Sequence, residues 1–169
     1  MNHIVLYHPE IPQNTGNIMR TCAATNMHLH LIEPLGFKLD TKYVKRSAAN
    51  YLEHVDYTVY KNWEEFIEKN TGTLFFLTRY GQTSPDAMDY TIDEDVFLVF
   101  GAESSGIPKD ILQGHLDRCL RLPMTDKVRS LNLSNTVAIV AYEVLRQQGY
   151  KGLYSHEPDS MKGKDYLQK

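Results

Sequence analysis

The chain has 169 residues, of which 42% are hydrophobic and 23% are charged, and its formal net charge is −3. This length and composition suit one soluble globular domain, and no apolar run approaches the ~18 residues that a membrane span needs. The acidic balance argues against indiscriminate binding to nucleic acid but leaves room for a local basic patch. The N-terminus lacks the features of a secretory signal, and the two cysteines fit no disulfide framework, so we expect a cytoplasmic protein without a membrane partner.

Six short runs rich in β-branched or aromatic residues predict strands. They cover residues 3–7, 28–33, 55–60, 73–78, 96–100 and 119–122. The runs at 73–78 and 96–100 are nearly continuous in apolar character, as in central parallel strands that are buried on both faces. Helical patterns lie between the strands, and this alternation predicts an α/β fold with a mostly parallel sheet flanked by helices.

The helices carry recognisable start and stop signals. Asn14 or Thr15 can cap a first helix that runs to about residue 25. Asn62 indicates a capping box, after which Trp63, Phe66 and Ile67 are predicted to face inward. A weaker helical pattern covers residues 110–116.

The last helix has the clearest pattern. Its apolar residues repeat with helical spacing at Val137, Val140, Ala141, Val144 and Leu145. Gly149 then stands where a left-handed glycine is expected just past the end of a helix. The apolar pattern stops there, so we predict one domain over residues 1–150 and a mobile tail over residues 151–169.

Two polar segments follow predicted strands and are unusual for an ordinary core. Residues 12–20 place amides, a glycine and an arginine around a helix N-terminus, which suits either an RNA phosphate or ribose site or a simple capped turn. Residues 100–108 follow a buried strand, at the sheet edge where open α/β folds bind ligands. Gly101 and Gly106 permit positive φ and close backbone approach, but the segment is neither a dinucleotide fingerprint nor a Walker A loop.

A third polar segment covers residues 121–135, between the last predicted strand and the last helix. Ser134 or Asn135 could simply cap that helix, whereas Ser130 and Asn132 precede the expected cap. A polar loop flanked by leucines at a sheet edge is a plausible nucleoside site. His28 and His30 share one strand face, but a pair without a third ligand predicts no metal centre.

Together these segments resemble the SPOUT superfamily of RNA methyltransferases, and most closely the tRNA (cytidine/uridine-34) 2′-O-methyltransferase family, over residues 4–150. The resemblance rests on LYHPEIP at 6–12, NTGNI at 14–18 with Arg20, IEPLGF at 32–37, the segment from Phe100-Gly101 to Gly106, RLPM at 121–124 and RSLNLSN at 129–135. The resemblance implies an α/β-knot fold with a C-terminal trefoil knot, which spacing alone would never suggest because true knots are nearly absent from proteins.

The resemblance also implies an activity: S-adenosylmethionine-dependent methylation of the wobble ribose in the tRNA anticodon stem-loop, on leucine isoacceptors, by a homodimer without a metal. The implied catalytic and RNA-side positions are Asn14, Arg20, Glu103 and Asn132. The implied cofactor residues are Leu77, Thr78, Gly101, Glu103, Leu122, Met124, Ser130, Leu131 and Ser134. For the RNA surface we expect the basic residues Lys38, Lys42, Lys45, Arg46 and Arg129 to contribute.

Three alternatives stay open at this point. The first is a related enzyme that methylates another tRNA or rRNA ribose; because the predicted core begins at residue 3, we expect no N-terminal RNA-binding domain, which favours the wobble-position type. The second is a non-catalytic RNA-binding module, disfavoured by the presence of Arg20, Glu103, Ser130 and Asn132. The third is a nucleotide-dependent Rossmann enzyme, disfavoured by the missing glycine fingerprint.

Overall fold

Six parallel strands form one sheet in the computed structural model, which describes residues 1–39, 42, 44, 46 and 49–169. The strands are β1 (Asn2–Tyr7), β2 (His28–Ile32), β3 (Tyr57–Tyr60), β4 (Thr73–Leu77), β5 (Val96–Phe100) and β6 (Cys119–Leu120). Their order across the sheet is β3-β2-β1-β5-β4-β6, and each neighbouring pair is parallel. All six predicted strands are therefore confirmed, with β3 and β6 shorter than expected.

The helices with described bounds are α1 (Pro12–Thr25), α2 (Trp63–Lys69), α3 (Lys109–Gln113) and α4 (Leu133–Gln147). The pattern at 110–116 is divided between α3 and a 3₁₀ turn at Leu116–Arg118. Asn62 caps α2 as predicted, because its side-chain oxygen accepts from the Glu65 N–H at 2.8 Å. Ile67 was expected to face inward but is exposed, since this two-turn helix buries Phe66 and turns Ile67 toward solvent.

The predicted N-caps of α1 and α4 are wrong. Helix α1 begins at Pro12 with Ile11 as N-cap, so that Asn14 and Thr15 lie buried inside the helix. Proline suits the first helical position because its φ is already helical and its missing N–H needs no partner. Helix α4 is capped by Asn132, which stands before both Ser134 and Asn135.

The core has two parts, one on each face of the sheet. Side chains alternate along β1, so that Ile4 and Leu6 face α1 and α4 while Val5 joins Phe66 and Leu112 on the other face. The first part holds the apolar stripe predicted for α4, from Val137 to Leu145. Burial of both faces explains why the central strands are so uniformly apolar.

The carboxyl ends of the parallel strands meet at one edge of the sheet, and their loops are packed together there. The Gly36 N–H donates to the Pro9 carbonyl, which joins the loop after β2 to the loop after β1. Beyond α4, Gly149 adopts a φ of +75° as predicted, and Leu153 packs on the core. In the described part of the chain no helix has the length and apolarity that crossing a membrane requires.

Candidate active site at the carboxyl edge of the sheet

A cleft of about 570 Å³ opens at the carboxyl ends of β4, β5 and β6, next to the first turns of α1 and α4. Most of the cofactor residues implied by the resemblance line it: Leu77, Thr78, Gly101, Glu103, Leu122, Met124, Ser130 and Leu131. Ser134 is not among the lining residues; its hydroxyl instead donates to the Asn132 side chain at 2.6 Å. The two sequence-distant loops therefore form one site.

The glycines of the 101–106 turn are needed by the turn itself. Ala102 and Gly106 exchange two backbone hydrogen bonds, and a Cβ on Gly101 would lie 2.3 Å from the Gly106 carbonyl carbon. Gly106 has a φ of +69°, which side chains rarely adopt. The close approach predicted for Gly101 is therefore present, but it is an approach to the backbone of its own loop.

Glu103 holds the backbone that leads into α1. Its carboxylate accepts from the N–H groups of Glu10 at 2.8 Å and Ile11 at 2.9 Å, and from the Asn14 side-chain amide at 3.1 Å. A negative charge near a helix N-terminus is also favourable. Since Glu103 lies in a loop some ninety residues away in sequence, no local pattern could have predicted these contacts.

A chain of side-chain hydrogen bonds continues from Glu103 into the cleft. The Asn132 amide donates to the Asn14 side-chain oxygen at 3.2 Å, and the Asn132 oxygen accepts from the Ser134 N–H at 2.9 Å. Three predicted catalytic positions, Asn14, Glu103 and Asn132, are thus brought together although the sequence separates them widely. Asn132 also caps α4, so the same side chain ends a loop, starts a helix and borders the site.

Glu10, in the loop after β1, binds the 101–106 turn through its side chain. Its carboxylate accepts from the Ser104 N–H at 2.8 Å and from the Ser104 hydroxyl at 2.7 Å. These hydrogen bonds hold the pKa of Glu10 below its ordinary value. Because Glu103 binds the backbone of Glu10 in return, the loops after β1 and β5 are joined reciprocally.

The remaining predicted residues lie around the cleft. Arg129 is exposed and lines it, whereas Arg20 is exposed on α1 and is not among the lining residues. Lys38, Lys42 and Arg46 are exposed on the segment after β2, and Lys45 falls outside the described residues. Arg79, Tyr80 and Arg121 also line the cleft but were not predicted as site residues. Arg121 belongs to the RLPM motif, whereas the only sequence signal of Arg79 and Tyr80 was their position shortly after β4.

A different polar network, the histidine network, lies on one face of the sheet and starts at the amino end of β1. His3 shares hydrogen bonds with Asp95 at 2.9 Å and with His30 at 2.8 Å, and His30 is hydrogen-bonded to the Tyr60 hydroxyl at 2.9 Å. Burial lowers the pKa of His30 to about 3 and also lowers the pKa of His3. Across the residues that the structure describes, no group of three or more His, Cys, Asp or Glu side chains could hold a metal ion.

Comparison with known proteins identifies the family. Residues 1–142 match the SpoU rRNA Methylase family. The chain belongs to this family. A relative from Aeromonas hydrophila, named tRNA (cytidine(34)-2′-O)-methyltransferase, is 46% identical over 154 residues, which cover 90% of this chain and 97% of that protein. A Bacillus subtilis (strain 168) relative, 58% identical over 153 residues, covers 89% and 96% respectively, and its name assigns it provisionally to the same activity.

Solved structures of family members agree with the fold described above. One, described as giving structural insights into the 2-OH methylation of C/U34 on tRNA, matches with a TM-score of 0.82 at 40% identity and covers 89% of this chain and 98% of that chain. The complex of the SpoU methyltransferase AviRb from Streptomyces viridochromogenes with AdoMet matches with a TM-score of 0.76 at 20% identity, and covers 86% of this chain and 57% of that chain. The second likeness concerns the fold alone.

Proposed function

We propose that this protein transfers a methyl group from S-adenosylmethionine to the ribose 2′-hydroxyl of nucleotide 34, the wobble cytidine or uridine of tRNA, with leucine isoacceptors as substrates in the cytoplasm. The observation that carries the proposal is the cleft at the carboxyl edge, where the residues implied by the resemblance converge. The high identity to tRNA (cytidine(34)-2′-O)-methyltransferases over nearly the whole chain supports the same assignment.

The cleft fits the proposed cofactor in size and chemistry. Its volume lies within the range of small-molecule sites, and its wall combines apolar side chains such as Leu122 and Met124 with polar loop backbone. When bound, the cofactor supplies a methyl group that is already electrophilic because it sits on a sulfonium, so the protein needs no metal to activate it. What the chain must supply is alignment of the hydroxyl and stabilisation of the developing alkoxide.

The chain's own residues suit alignment better than proton removal. Glu103 accepts three hydrogen bonds, which makes it a fixed anchor for Asn14. Asn14 and Asn132 hold one another, and their side chains can position a ribose at the lip of the cleft. A guanidinium stays protonated at neutral pH, so the role we assign to Arg20 is orientation of the hydroxyl and stabilisation of its anion.

Arg20 reaches the site of a second protomer in this proposal. It is exposed on α1 and does not line the cleft of its own chain. Ile139 and Tyr142 on α4 are exposed apolar residues that a symmetric interface could cover. We therefore propose a homodimer that completes each site, with the trefoil knot and the mobile tail at residues 151–169 as the family resemblance and the sequence predict.

The RNA surface in this proposal combines Lys38, Lys42, Lys45, Arg46 and Arg129. The loop after β2 is joined to the loop after β1, so the segment that leads to Lys38 starts at the same sheet edge as the cleft, which Arg129 lines. Clustered cations compensate for an overall charge of −3 and release counterions from the RNA backbone. Such a basic surface suits the anticodon stem-loop of a tRNA.

The test is methyl transfer from labelled S-adenosylmethionine to purified tRNA, followed by nucleoside mapping of the methylated position. Leucine tRNA should gain 2′-O-methylation at nucleotide 34, and a transcript with 2′-deoxyribose at that position should gain none. Methylation of a different ribose would overturn the assignment of substrate. Failure to bind S-adenosylmethionine or S-adenosylhomocysteine by calorimetry would overturn the enzyme assignment altogether.

The same assay tests whether Arg20 acts across an interface. Arg20→Ala should lower kcat by about 10²- to 10³-fold, and a cleft variant should be inactive for lack of cofactor. Mixing the two dead variants should restore up to about a quarter of wild-type activity, because half of the dimers carry one complete site. Gly101→Val serves as the cleft variant, because it disrupts the turn that forms part of the cleft wall. If Gly101→Val does not fold, Leu131→Trp is used instead, since a tryptophan at this exposed lining position fills the cleft. No recovery from a verified heterodimer would exclude the shared site.

A further inference from the structure

Tyr80 stands at the lip of the cleft and takes no part in the core. Its side chain is 73% exposed, although it lines the same cleft as the predicted cofactor residues. Phe100, the other aromatic residue among the described lining residues, is buried in the sheet. An exposed aromatic ring loses favourable burial, so its place beside a binding cleft points to a ligand that covers it.

The turn that carries Tyr80 is held rigidly. The Tyr80 N–H donates to the Thr78 hydroxyl at 3.2 Å, and the Gly81 N–H donates to the Thr78 carbonyl at 3.1 Å. A Cβ on Gly81 would lie 2.5 Å from the Leu120 carbonyl carbon, so the turn is pressed against β6. The backbone of Tyr80 is therefore fixed, so only its side-chain torsions lose freedom when something stacks on the ring.

The surroundings of the ring are cationic. The Arg79 guanidinium lies 5.3 Å from the Tyr80 ring centroid, and Arg121 donates to the Arg79 carbonyl at 2.8 Å. Arg129 lines the same cleft. Guanidinium groups beside an exposed ring match a nucleotide, whose base stacks while its phosphates pair with the cations. S-adenosylmethionine carries one carboxylate and no phosphate, so a group of three guanidinium groups favours the RNA over the cofactor as the occupant.

We infer that Tyr80 is a stacking platform for an unpaired base of the RNA substrate, either the target nucleotide or its neighbour, with Arg79 and Arg121 holding the adjoining phosphates. This inference rests on the proposed function, because it deepens the account of how that site receives RNA. Bases in single-stranded loops are commonly recognised by stacking on aromatic side chains, and such stacking tolerates any base. The platform would let the enzyme hold a wobble nucleotide of either pyrimidine type.

The experiment compares Tyr80→Ala with Tyr80→Phe, using a synthetic anticodon stem-loop and S-adenosylhomocysteine as probes. Tyr80→Ala should raise both the Kd and the KM for the stem-loop by about 5- to 100-fold, the range expected for one lost base stack. Affinity for S-adenosylhomocysteine should change less than about twofold, a shift within calorimetric scatter. Tyr80→Phe keeps the ring and should behave like the wild type.

Tyr166 offers a matched control, because it is 54% exposed and has Lys162 at 5.3 Å from its ring centroid but is not among the lining residues of the cleft. Tyr166→Ala should leave stem-loop affinity unchanged. Equal losses for Tyr80→Phe and Tyr80→Ala would overturn stacking, and so would a loss of S-adenosylhomocysteine affinity with unchanged RNA binding. Because RNA affinity is read by titration, the inference is testable even if the wild type proves unable to methylate nucleotide 34.

Discussion

Two chains of polar side chains in this protein differ in what surrounds them. At the carboxyl edge of the sheet, Glu103, Asn14 and Asn132 are linked beside an open cleft. On one face of the sheet, the buried His3 and His30 link Asp95 to Tyr60. All three members of the first chain line the cleft, where a ligand can reach them, whereas no member of the second chain does.

This difference separates polar groups that can serve chemistry from those that serve packing. A buried polar group must be hydrogen-bonded, and the two histidines use their ring nitrogens to bond each other, Asp95 and Tyr60. They therefore have little capacity left to bind a ligand. The carboxyl-edge chain uses a carboxylate and two amides that keep further lone pairs and donors. By sequence alone the histidines look more like catalysts than the asparagines do, so a place in the wall of the cleft is the property that distinguishes the two sets.

Of changes in these two chains, the largest effect should come from removing the anchor of the carboxyl-edge chain. Glu103→Ala deprives Glu10, Ile11 and Asn14 of their acceptor, so the start of α1 and the Asn14 side chain should shift. We expect kcat/KM for tRNA to fall by about 10²-fold, as for a displacement of ~1 Å in a positioned site. The loss of stability should be only about 1 kcal/mol, because water can replace the lost acceptor at the surface.

Glu103→Gln retains one acceptor oxygen and should recover part of this activity. Glu68→Ala, an exposed glutamate on α2, is the control and should change neither activity nor melting temperature. Wild-type kinetics in Glu103→Ala would show that the chain from Glu103 to Asn132 is structural, and the distinction between it and the histidine network would fail.

A smaller, purely thermodynamic effect is expected in the histidine network. His30→Leu leaves the Tyr60 hydroxyl and one His3 nitrogen without this partner, at a cost of about 1–3 kcal/mol of unfolding free energy at pH 7. The activity of the folded fraction should stay unchanged. A drop in kcat without a drop in stability would contradict the structural role.

The histidine network should also make the stability of the protein depend on pH. The folded-state pKa of His30 lies at about 3, below its ordinary value of 6.5. Between these two values the unfolded chain binds a proton that the folded chain does not, so stability should fall as the pH drops from 6.5 toward 3, by up to ~1.4 kcal/mol per pH unit for one group. His30→Leu should make this slope shallower in acid denaturation, whereas His156→Asn, at an exposed histidine, should leave it unchanged.

The smallest effect concerns Thr15, which lies beside Asn14 but belongs to neither chain. Its side chain is fully buried, and its hydroxyl is the one buried side-chain polar atom among the described residues that has no hydrogen-bond partner. Thr15→Val keeps the shape and removes that hydroxyl, so stability should rise by about 1 kcal/mol. At Thr25 the buried hydroxyl donates to the Thr21 carbonyl at 2.7 Å, so Thr25→Val should lower stability instead. Equal signs for the two variants, measured by urea unfolding, would refute this explanation.

The sequence by itself determined the layers of the fold. Strand β5 and the apolar stripe of α4 could be predicted because their apolar residues recur with the period of a strand or a helix. The fold preserves these elements because it buries their apolar faces. The cap at Asn62 and the left-handed conformation of Gly149 could likewise be predicted, since both depend on residues only a few positions away. The family motifs also predicted which loops would meet at one edge.

Only the tertiary structure decided how those loops are joined. The backbone before α1 is held by Glu103, far away along the chain, and Asn132 both caps α4 and binds Asn14. Tyr80 has no distinguishing signal in the sequence, and only the fold places its exposed ring beside the cleft. Long-range hydrogen bonds and exposure depend on which segments the fold brings together, and that information is absent from the spacing of residues within any one segment.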